Sequence, residues 1–323
     1  MSIGRYREAR VLWSGGVSRR VVTLGLCAAG MAPFLAEPVL AQAKAASTLK
    51  FGDCDIRVFS DGTMTVPTRF LASNVDEAEI MRWLASSGQA GPVVVPPANV
   101  TLVRTPSELI LIDVGGGSRF MPTLGKLVDN LQTAGIDPKA VNKVVITHAH
   151  PDHLWGVLDD FDELAFPNAA YLLPEAEWNF WMAQDALTRM PEDRQNFVPG
   201  AQRSLTRIRE RLQMIKPGSD IAHAIRAIDT AGHTPGHIAV EIASGRDAVI
   251  VLADALTHPT ISFAHPEWTP AADHFDSDMA VRMRLRLLDR LATDRSRIIG
   301  YHLPYPGIGT VERSGTVYRF ATE

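Results

Sequence analysis

The stretch Thr147-His148-Ala149-His150-Pro151-Asp152-His153 follows the apolar run 143–146 and places three imidazoles and a carboxylate within six positions. In an α-helix, residues two apart point about 160° away from each other, so His148 and His150 could not share one ion. At the end of a strand, alternate side chains lie on one face, which would bring His148, His150 and Asp152 together. Pro151 disfavours helical backbone at the residue before it, which also argues against a helix.

The residue types in this stretch are typical of metal binding. Imidazole and carboxylate groups suit zinc and its first-row neighbours. His153 lies next to Asp152 and must point elsewhere, which predicts a second ion beside the first. The alternative, a loop with solvated surface histidines, is disfavoured by this spacing after a β-branched run.

Three later stretches place further ligand types at turns or at the ends of apolar runs. They are the Gly/Pro-rich turn 230–237 with His233, the strand 249–253 followed by Asp254, and the strand 298–301 followed by His302. A buried carboxylate is costly without a partner, so Asp254 is predicted to be a ligand rather than a structural aspartate. His302 is interpreted in the same way.

These motifs, in this order, resemble the H-x-H-x-D-H signature and the later ligand motifs of the metallo-β-lactamase-fold hydrolases, over about residues 49–323. The resemblance implies two divalent metal ions, with zinc favoured over manganese, cobalt or iron. The first ion would be held by His148, His150 and His233, the second by Asp152, His153 and His302, with Asp254 as the bridge. A water shared by the ions would have a pKa of about 7 and supply a bridging hydroxide, with Asp152 and Asp254 as catalytic carboxylates. Asp113 matches a position that supports the ligands, and His237 is also interpreted as support.

Longer stretches resemble the methyl parathion hydrolase and lactonase branch of this family, among them 51–53, 60–63, 122–125, 166–169 and 302–309. In that branch aromatic side chains wall an apolar pocket, which by position implies Phe120, Trp181 and Phe197. The implied substrate is a small carboxylic ester, lactone or aryl phosphotriester, with the ester or lactone ranked first. Acyl-homoserine lactonases often carry a tyrosine three residues past the bridging aspartate. This chain has Thr257 there, followed by His258.

Three alternatives remain open beside this hypothesis. A β-lactam hydrolase is consistent with the predicted export of the protein. Cys54, however, lies far upstream of the motifs and is a poor candidate for a β-lactamase metal ligand. A redox enzyme of the same fold is disfavoured because flavodiiron relatives carry a glutamate where this chain has Ala149. A non-catalytic metal-binding member is disfavoured by the intact set of seven ligands. His258, His265 and His274 are expected near the site mouth as packed or solvated side chains.

The N-terminal segment has the pattern of an export signal. Five arginines precede or flank the apolar run 21–31, and small residues follow at 39–43. Ser18-Arg19-Arg20-Val21-Val22 resembles a twin-arginine signal, so residues 1–41 are predicted to be cleaved and the protein to be periplasmic or secreted. Cleavage would change the net charge from −4 to −7 and leave Cys54 without an intramolecular disulfide partner. The near-neutral net charge indicates no nucleic-acid partner and no stable membrane association after cleavage. The sequence does not decide between a monomer and a homodimer.

The remaining chain predicts an α/β (α+β) fold. Short apolar strands alternate with amphipathic helices, and the polar site residues follow strand ends, which predicts a four-layer αββα sandwich of two mixed sheets in one domain, residues 47–323. Strands are expected at 50–51 and 56–59, with a turn at Asp61-Gly62. Helices are expected at 76–85, 122–134, 175–186 and 204–214, and near 283–291 with Asp276 or Ser277 as the cap.

Overall fold

The computed structural model describes residues 47–89 and 91–323, and the predicted signal segment 1–41 lies outside them. The strands are β1 Ser47–Phe51, β2 Cys54–Thr63, β3 Val66–Pro67, β4 Val93–Val94, β5 Pro97–Arg104, β6 Leu109–Ile112, β7 Lys143–Val145, β8 Ala170–Pro174, β9 Leu212–Ile215, β10 Asp220–Ala222, β11 Ile225–Asp229, β12 Ile238–Ser244, β13 Asp247–Ala253, β14 Arg297–Gly300, β15 Ile308–Ser314 and β16 Val317–Thr322. The α-helices are α1 Glu77–Ser86, α2 Gly117–Phe120, α3 Leu127–Thr133, α4 Pro151–Leu154, α5 Glu175–Trp181, α6 Ala186–Arg189, α7 Phe197–Ile208, α8 Ile261–Ala264 and α9 Ser277–Asp294. Within the described ranges, none of these helices is long and apolar enough to cross a membrane.

The strands form two seven-stranded mixed sheets. The first has the order β1-β2-β5-β6-β7-β8-β9, and the second runs from β10 to β16 in chain order, with β3 and β4 as a separate pair. In the first sheet, β6 to β9 are parallel, and in the second sheet β13 and β14 are parallel. The mixed pairing confirms the predicted fold class.

Three apolar cores separate four layers. Alternation along β6 sends Ile110 and Ile112 into a core shared with the second sheet, while Leu109 and Leu111 face a core that contains residues of α3, α5 and α7. A third core joins the other face of the second sheet to α9, through residues such as Leu288. Helices, sheet, sheet and helices therefore stack in the predicted αββα order, because each sheet buries both of its faces.

Several predicted elements differ from those observed. Asp61-Gly62 is not a turn: both residues lie in β2, at a register irregularity in its pairing with β5. The helix expected at 204–214 instead ends at Ile208, and Leu212–Ile215 pairs with β8 as a parallel strand. Leu205, Ile208 and Leu212 keep helical spacing beyond the true end of the helix, so periodicity alone could not place that end. The cap of α9 is Asp276, whose side chain accepts from the backbone N–H of Met279.

The Asp61 carboxylate fixes the loop that leads toward the candidate site. It is fully buried and accepts backbone N–H groups from Gly116, Gly125 and Leu127 at 2.9, 3.1 and 3.0 Å. Buried donors that lack an acceptor are costly, so this one side chain holds three backbone positions between residues 116 and 127.

We expect Asp61→Asn to lower the free energy of unfolding by roughly 1–3 kcal/mol, because the amide would turn an N–H group toward a backbone N–H. Chemical denaturation measures the change. The control is Asp159→Asn, which alters an exposed carboxylate that also accepts two backbone N–H groups and should cost less than about 1 kcal/mol. Equal losses in both variants would contradict the role assigned to Asp61.

Candidate metal centre

The histidine-rich stretch leaves the end of β7 and changes conformation at Pro151. His150 is extended, with φ −64° and ψ 155°, and α4 begins at Pro151, so Asp152 and His153 lie in a helical turn. The prediction that the whole stretch is extended is therefore wrong beyond His150. Proline lacks the N–H that the first turn would leave unpaired and has a suitable φ, so Pro151 begins a helix instead of excluding one.

The first ligand group brings together His148, His150, His233 and one oxygen of Asp254. The Nδ1 atom of His150 lies 3.1 Å from His148 Nε2 and 3.0 Å from His233 Nε2. The Oδ2 atom of Asp254 lies 3.2 Å from His233 Nε2. All four side chains are buried, and they arrive from the β7 loop, the 230–237 turn and the end of β13.

The second ligand group contains Asp152, His153 and His302. Asp152 Oδ2 lies 3.3 Å from the Nε2 atoms of both histidines. The second oxygen of Asp254, Oδ1, lies 3.1 Å from His153 Nε2 and 3.3 Å from His302 Nε2. Asp254 therefore turns one carboxylate oxygen toward each group, which is the geometry of a bridging ligand.

The donor set fits two divalent ions. A tetrahedral ion with bonds of 2.0–2.1 Å has ligand atoms about 3.3 Å apart, close to the spacing seen in both groups. The lone pairs of ring nitrogens and carboxylate oxygens repel at this distance unless a proton or a metal cation lies between them. Burial, together with His153, keeps the pKa of His148 well below its usual value, which favours the neutral form that binds metal. Burial also lowers the pKa of His302, but Asp254 and Asp152 outweigh it and raise this pKa to about 10, so protons compete with metal at that ring.

Hydrogen bonds behind the ligands set which ring nitrogen faces inward. The Nδ1 atoms of His153, His233 and His302 donate to Asp113 Oδ2, Asp273 Oδ1 and the Pro97 carbonyl at 2.8, 2.7 and 2.8 Å. Each ring therefore presents its Nε2 lone pair to the centre. Asp113 also accepts from the backbone N–H and hydroxyl of Thr147, so it contacts both the ligand His153 and the residue before the ligand His148.

His237 lies beside the centre and is not part of either ligand group. Its Nε2 accepts the backbone N–H of Asp254 at 3.1 Å, and its Nδ1 lies 2.7 Å from the Thr230 hydroxyl. Burial lowers the pKa of His237 to about 3, so the ring stays neutral while it holds the bridging aspartate in place.

Sequence reasoning missed two buried carboxylates. Glu177, in the first turn of α5, accepts the backbone N–H groups of Ala149 and Gly236 and the indole N–H of Trp181. Asp273 holds His233 and is in turn paired with Arg284 of α9. Asp273 stands in a cluster with His274, Asp276 and Asp278, which was a usable signal, whereas Glu177 looks like an ordinary helix-start carboxylate.

A cavity of about 1000 Å³ opens onto the ligand groups. His150, Asp152, Asp254 and His302 line it together with many apolar side chains, and Phe120 and Phe197 form part of its wall. The two phenyl rings meet edge to face at 5.7 Å.

The prediction that Trp181 walls this cavity is wrong. Its side chain is fully buried, and its ring centre lies 6.0 Å from that of His150. Packing turns this face of α5 toward the protein interior, so Trp181 supports the ligand His150 instead of meeting substrate.

The three later histidines have different surroundings. His258 lines the cavity and is 5% exposed. His265 stacks on Trp268, with ring centres 4.1 Å apart. His274 stacks 6.2 Å from His150 and lies 3.1 Å from Arg194 Nη1.

Fold and site together define a metal-binding αββα sandwich, and comparison with known proteins places it in a family. Residues 93–299 match the model of the metallo-β-lactamase superfamily, and the chain belongs to that superfamily. Among similar solved structures are AidC, a dizinc quorum-quenching lactonase in complex with the product N-hexanoyl-L-homoserine, and the hydrolase AbOPH of the β-lactamase superfamily. Both are 28% identical, cover 86% of this chain and 97% of their own, and have TM-scores of 0.81 and 0.80. A probable metal-dependent hydrolase from Staphylococcus aureus, 19% identical, covers 85% of this chain and 99% of its own with a TM-score of 0.70, and it shares the fold.

Proposed function

We propose that this chain is a dinuclear metal-dependent hydrolase that cleaves the ester bond of a small carboxylic ester or lactone. The observation that carries the proposal is the Asp254 carboxylate, whose two oxygens face two separate ligand groups at the edge of a largely apolar cavity. Two zinc ions bound there would act as Lewis acids and lower the pKa of water to about 7.

The residues around the centre have distinct tasks in this proposal. Asp152 and Asp254 supply negative charge that balances the two ions. Asp113 and Asp273 hold the rings of His153 and His233 in the orientation that binds metal. Phe120 and Phe197 would pack against the apolar part of the substrate, which suits an uncharged ester or lactone.

The comparisons support this choice of substrate class. AidC is 28% identical over nearly its whole length and was solved with the opened product of a lactone. An aryl phosphotriester is a secondary candidate, because a centre that polarises a carboxyl ester can also polarise a phosphoryl oxygen. A β-lactam is the competing small-molecule substrate.

We expect the zinc-loaded protein to hydrolyse γ-lactones and p-nitrophenyl esters faster than phosphotriesters and to leave a chromogenic β-lactam intact. Activity should vanish on chelation and return when zinc is restored, with about two ions bound per chain. Turnover measured across this substrate panel, beside metal analysis, tests the proposal. Full activity in the metal-free protein, or turnover of the β-lactam alone, would contradict it.

We also propose that the protein acts outside the cytoplasm after removal of residues 1–41. The proposal comes from the arginine pair and apolar run of that segment. Fractionation of cells that produce the full chain, followed by N-terminal sequencing, tests it. An uncleaved chain in the cytoplasm would contradict it.

A further inference from the structure

A buried asparagine of the first sheet holds the loop that carries the ligand His302. Asn99 lies in β5 and is 1% exposed. Its Nδ2 atom donates to the carbonyls of Gly300 and Leu303 at 3.0 and 2.7 Å, and its backbone N–H donates to the Tyr301 carbonyl at 2.9 Å. Both partners of the side chain are acceptors, so the amide must turn its nitrogen toward them, one N–H group to each side of the ligand residue.

The same loop has other contacts, and each fixes a different part of it. The Nδ1 atom of His302 donates to the Pro97 carbonyl at 2.8 Å, which orients the imidazole ring. The Tyr301 hydroxyl donates to the Asp152 carbonyl at 2.7 Å, which joins this side chain to the other ligand-bearing loop. Asn99 differs from both contacts because it holds the backbone of the loop before and after the ligand residue.

This contact connects the two sheets at the second ligand group. Asn99 belongs to the first sheet, whereas His302 follows β14 of the second sheet. Asp152 and His153, the other members of the group, follow β7 of the first sheet. Metal ligands must be held within about 0.5 Å of the binding geometry. The second group therefore forms only if the His302 loop keeps a fixed position against the first sheet.

The surroundings of the amide leave it little freedom. Gly307 lies beside it with a φ of +76°, and a Cβ atom added to this glycine would lie 2.9 Å from Asn99 Nδ2. The Oδ1 atom of Asn99 is buried and has no hydrogen-bond partner among the described residues. An unpaired buried oxygen is costly, so the favourable contribution of this side chain comes from its two N–H groups.

We propose that Asn99 is a positioning residue that controls the affinity of the second ligand group for its ion by holding the His302 loop. This inference rests on the two-ion centre of the proposed function. Within the part of the chain that the structure describes, Asn99 forms no hydrogen bond with a member of the first group. The asparagine should therefore affect the two groups unequally.

Zinc titration of the metal-free protein against a competing chelator resolves two binding steps, and His302→Ala identifies the step that belongs to the second group. We expect Asn99→Ala to weaken that step about 10- to 100-fold and to change the other step by less than about 3-fold. Asn99→Asp should weaken it further, because a carboxylate oxygen would face two carbonyl oxygens. Either variant alone decides the question if the other does not fold. In the double variant Asn99→Ala/His302→Ala, loss of the asparagine should have no additional effect.

Two controls separate positioning from a general loss of stability. Asn168→Ala removes an exposed asparagine whose Nδ2 atom donates to the Lys139 carbonyl, and it should leave both steps unchanged. Leu131→Ala creates a cavity in the core beneath α3, so it should lower the free energy of unfolding and also leave both steps unchanged. If Leu131→Ala weakens the second step as much as Asn99→Ala does, the asparagine acts only through stability and the inference fails.

Hydrolysis gives an independent readout. For Asn99→Ala, the zinc concentration at half-maximal turnover of p-nitrophenyl acetate should rise about 10- to 100-fold, and saturating zinc should restore turnover to within about 3-fold of the wild type. An unchanged second step, equal weakening of both steps, or low turnover with both ions bound would overturn the positioning role. If the wild type binds two ions but cleaves no ester or lactone, the proposed function fails while the titration still decides the role of Asn99. A wild type that binds only one ion would overturn both.

Discussion

Asp254→Asn is expected to lower kcat/KM on an ester or lactone by about 1000-fold or more and to reduce the bound zinc below two ions per chain. The wild-type carboxylate places Oδ2 3.2 Å from His233 and Oδ1 3.1 Å from His153, one oxygen in each ligand group. Asparagine keeps the shape but replaces one oxygen by an amide nitrogen that cannot bind a cation. A loss of several kcal/mol of transition-state stabilisation, at about 1.36 kcal/mol per tenfold, gives this magnitude.

A matched control lies on the same strand. Asp247 is exposed at the start of β13, and Asp247→Asn removes the same charge far from the ligand groups. This control should retain wild-type kinetics and zinc content. Zinc is counted by mass spectrometry after dialysis, which separates metal loss from loss of turnover. An Asp254→Asn enzyme that binds two ions and keeps its activity would contradict the bridging role.

Much of the fold and of the ligand set could be predicted because burial leaves a clear pattern in the sequence. The runs before Asp254 and His302 are apolar on both faces, which is typical of strands that are covered on both sides. A carboxylate or imidazole directly after such a run must lie where the strand ends, along the line formed by the strand ends of the sheet. The structure places both residues there, next to the histidines of the β7 loop.

The sequence could not give the residues whose role depends on tertiary packing. Glu177 occupies the first turn of a helix, where acidic residues are common for local electrostatic reasons. Its full burial follows only from the way α5 packs beside the β7 loop and the 230–237 turn. The same packing hides Trp181, which sequence position alone assigned to the cavity wall.

Asp61-Gly62 shows the limit of local signals. Aspartate followed by glycine is a typical turn sequence. Here the pair lies within β2, and Gly62 has a φ of +127° beside the Thr123 carbonyl, which leaves no room for a side chain. The aspartate faces inward to bind three backbone N–H groups of a distant loop, and no local sequence rule anticipates that contact.

Glu177 is a buried side chain that hydrogen-bonds to both histidine-bearing loops. One carboxylate oxygen accepts Ala149 N at 2.9 Å and the Trp181 indole N–H at 2.9 Å, while the other accepts Gly236 N at 2.8 Å. Ala149 lies between the ligands His148 and His150, and Gly236 lies three residues after the ligand His233. Glu177 therefore links ligands that come from different sheets, beside the backbone hydrogen bond from the Ile238 N–H to the Thr147 carbonyl at 3.2 Å.

Glu177→Ala is expected to lower the free energy of unfolding by about 3–5 kcal/mol, because three buried N–H donors lose their acceptor at once. Zinc affinity should fall about 10- to 100-fold as the two loops separate. Chemical denaturation and competition with a zinc chelator measure the two effects independently. Glu177→Gln should give a smaller loss, since its carbonyl oxygen still accepts at one of the two positions.

The control for this prediction is Glu175→Ala, two residues earlier in the same helical turn. Glu175 is exposed and paired with exposed Lys216, and exposed ion pairs contribute little, so stability should change by less than about 1 kcal/mol. If Glu175→Ala and Glu177→Ala lower the free energy of unfolding equally, the loss comes from the start of α5 and not from the hydrogen bonds of Glu177 to the two loops. If Glu177→Ala loses stability but keeps wild-type zinc affinity, Ala149 and Gly236 hold the ligands without it, and the positioning role is wrong.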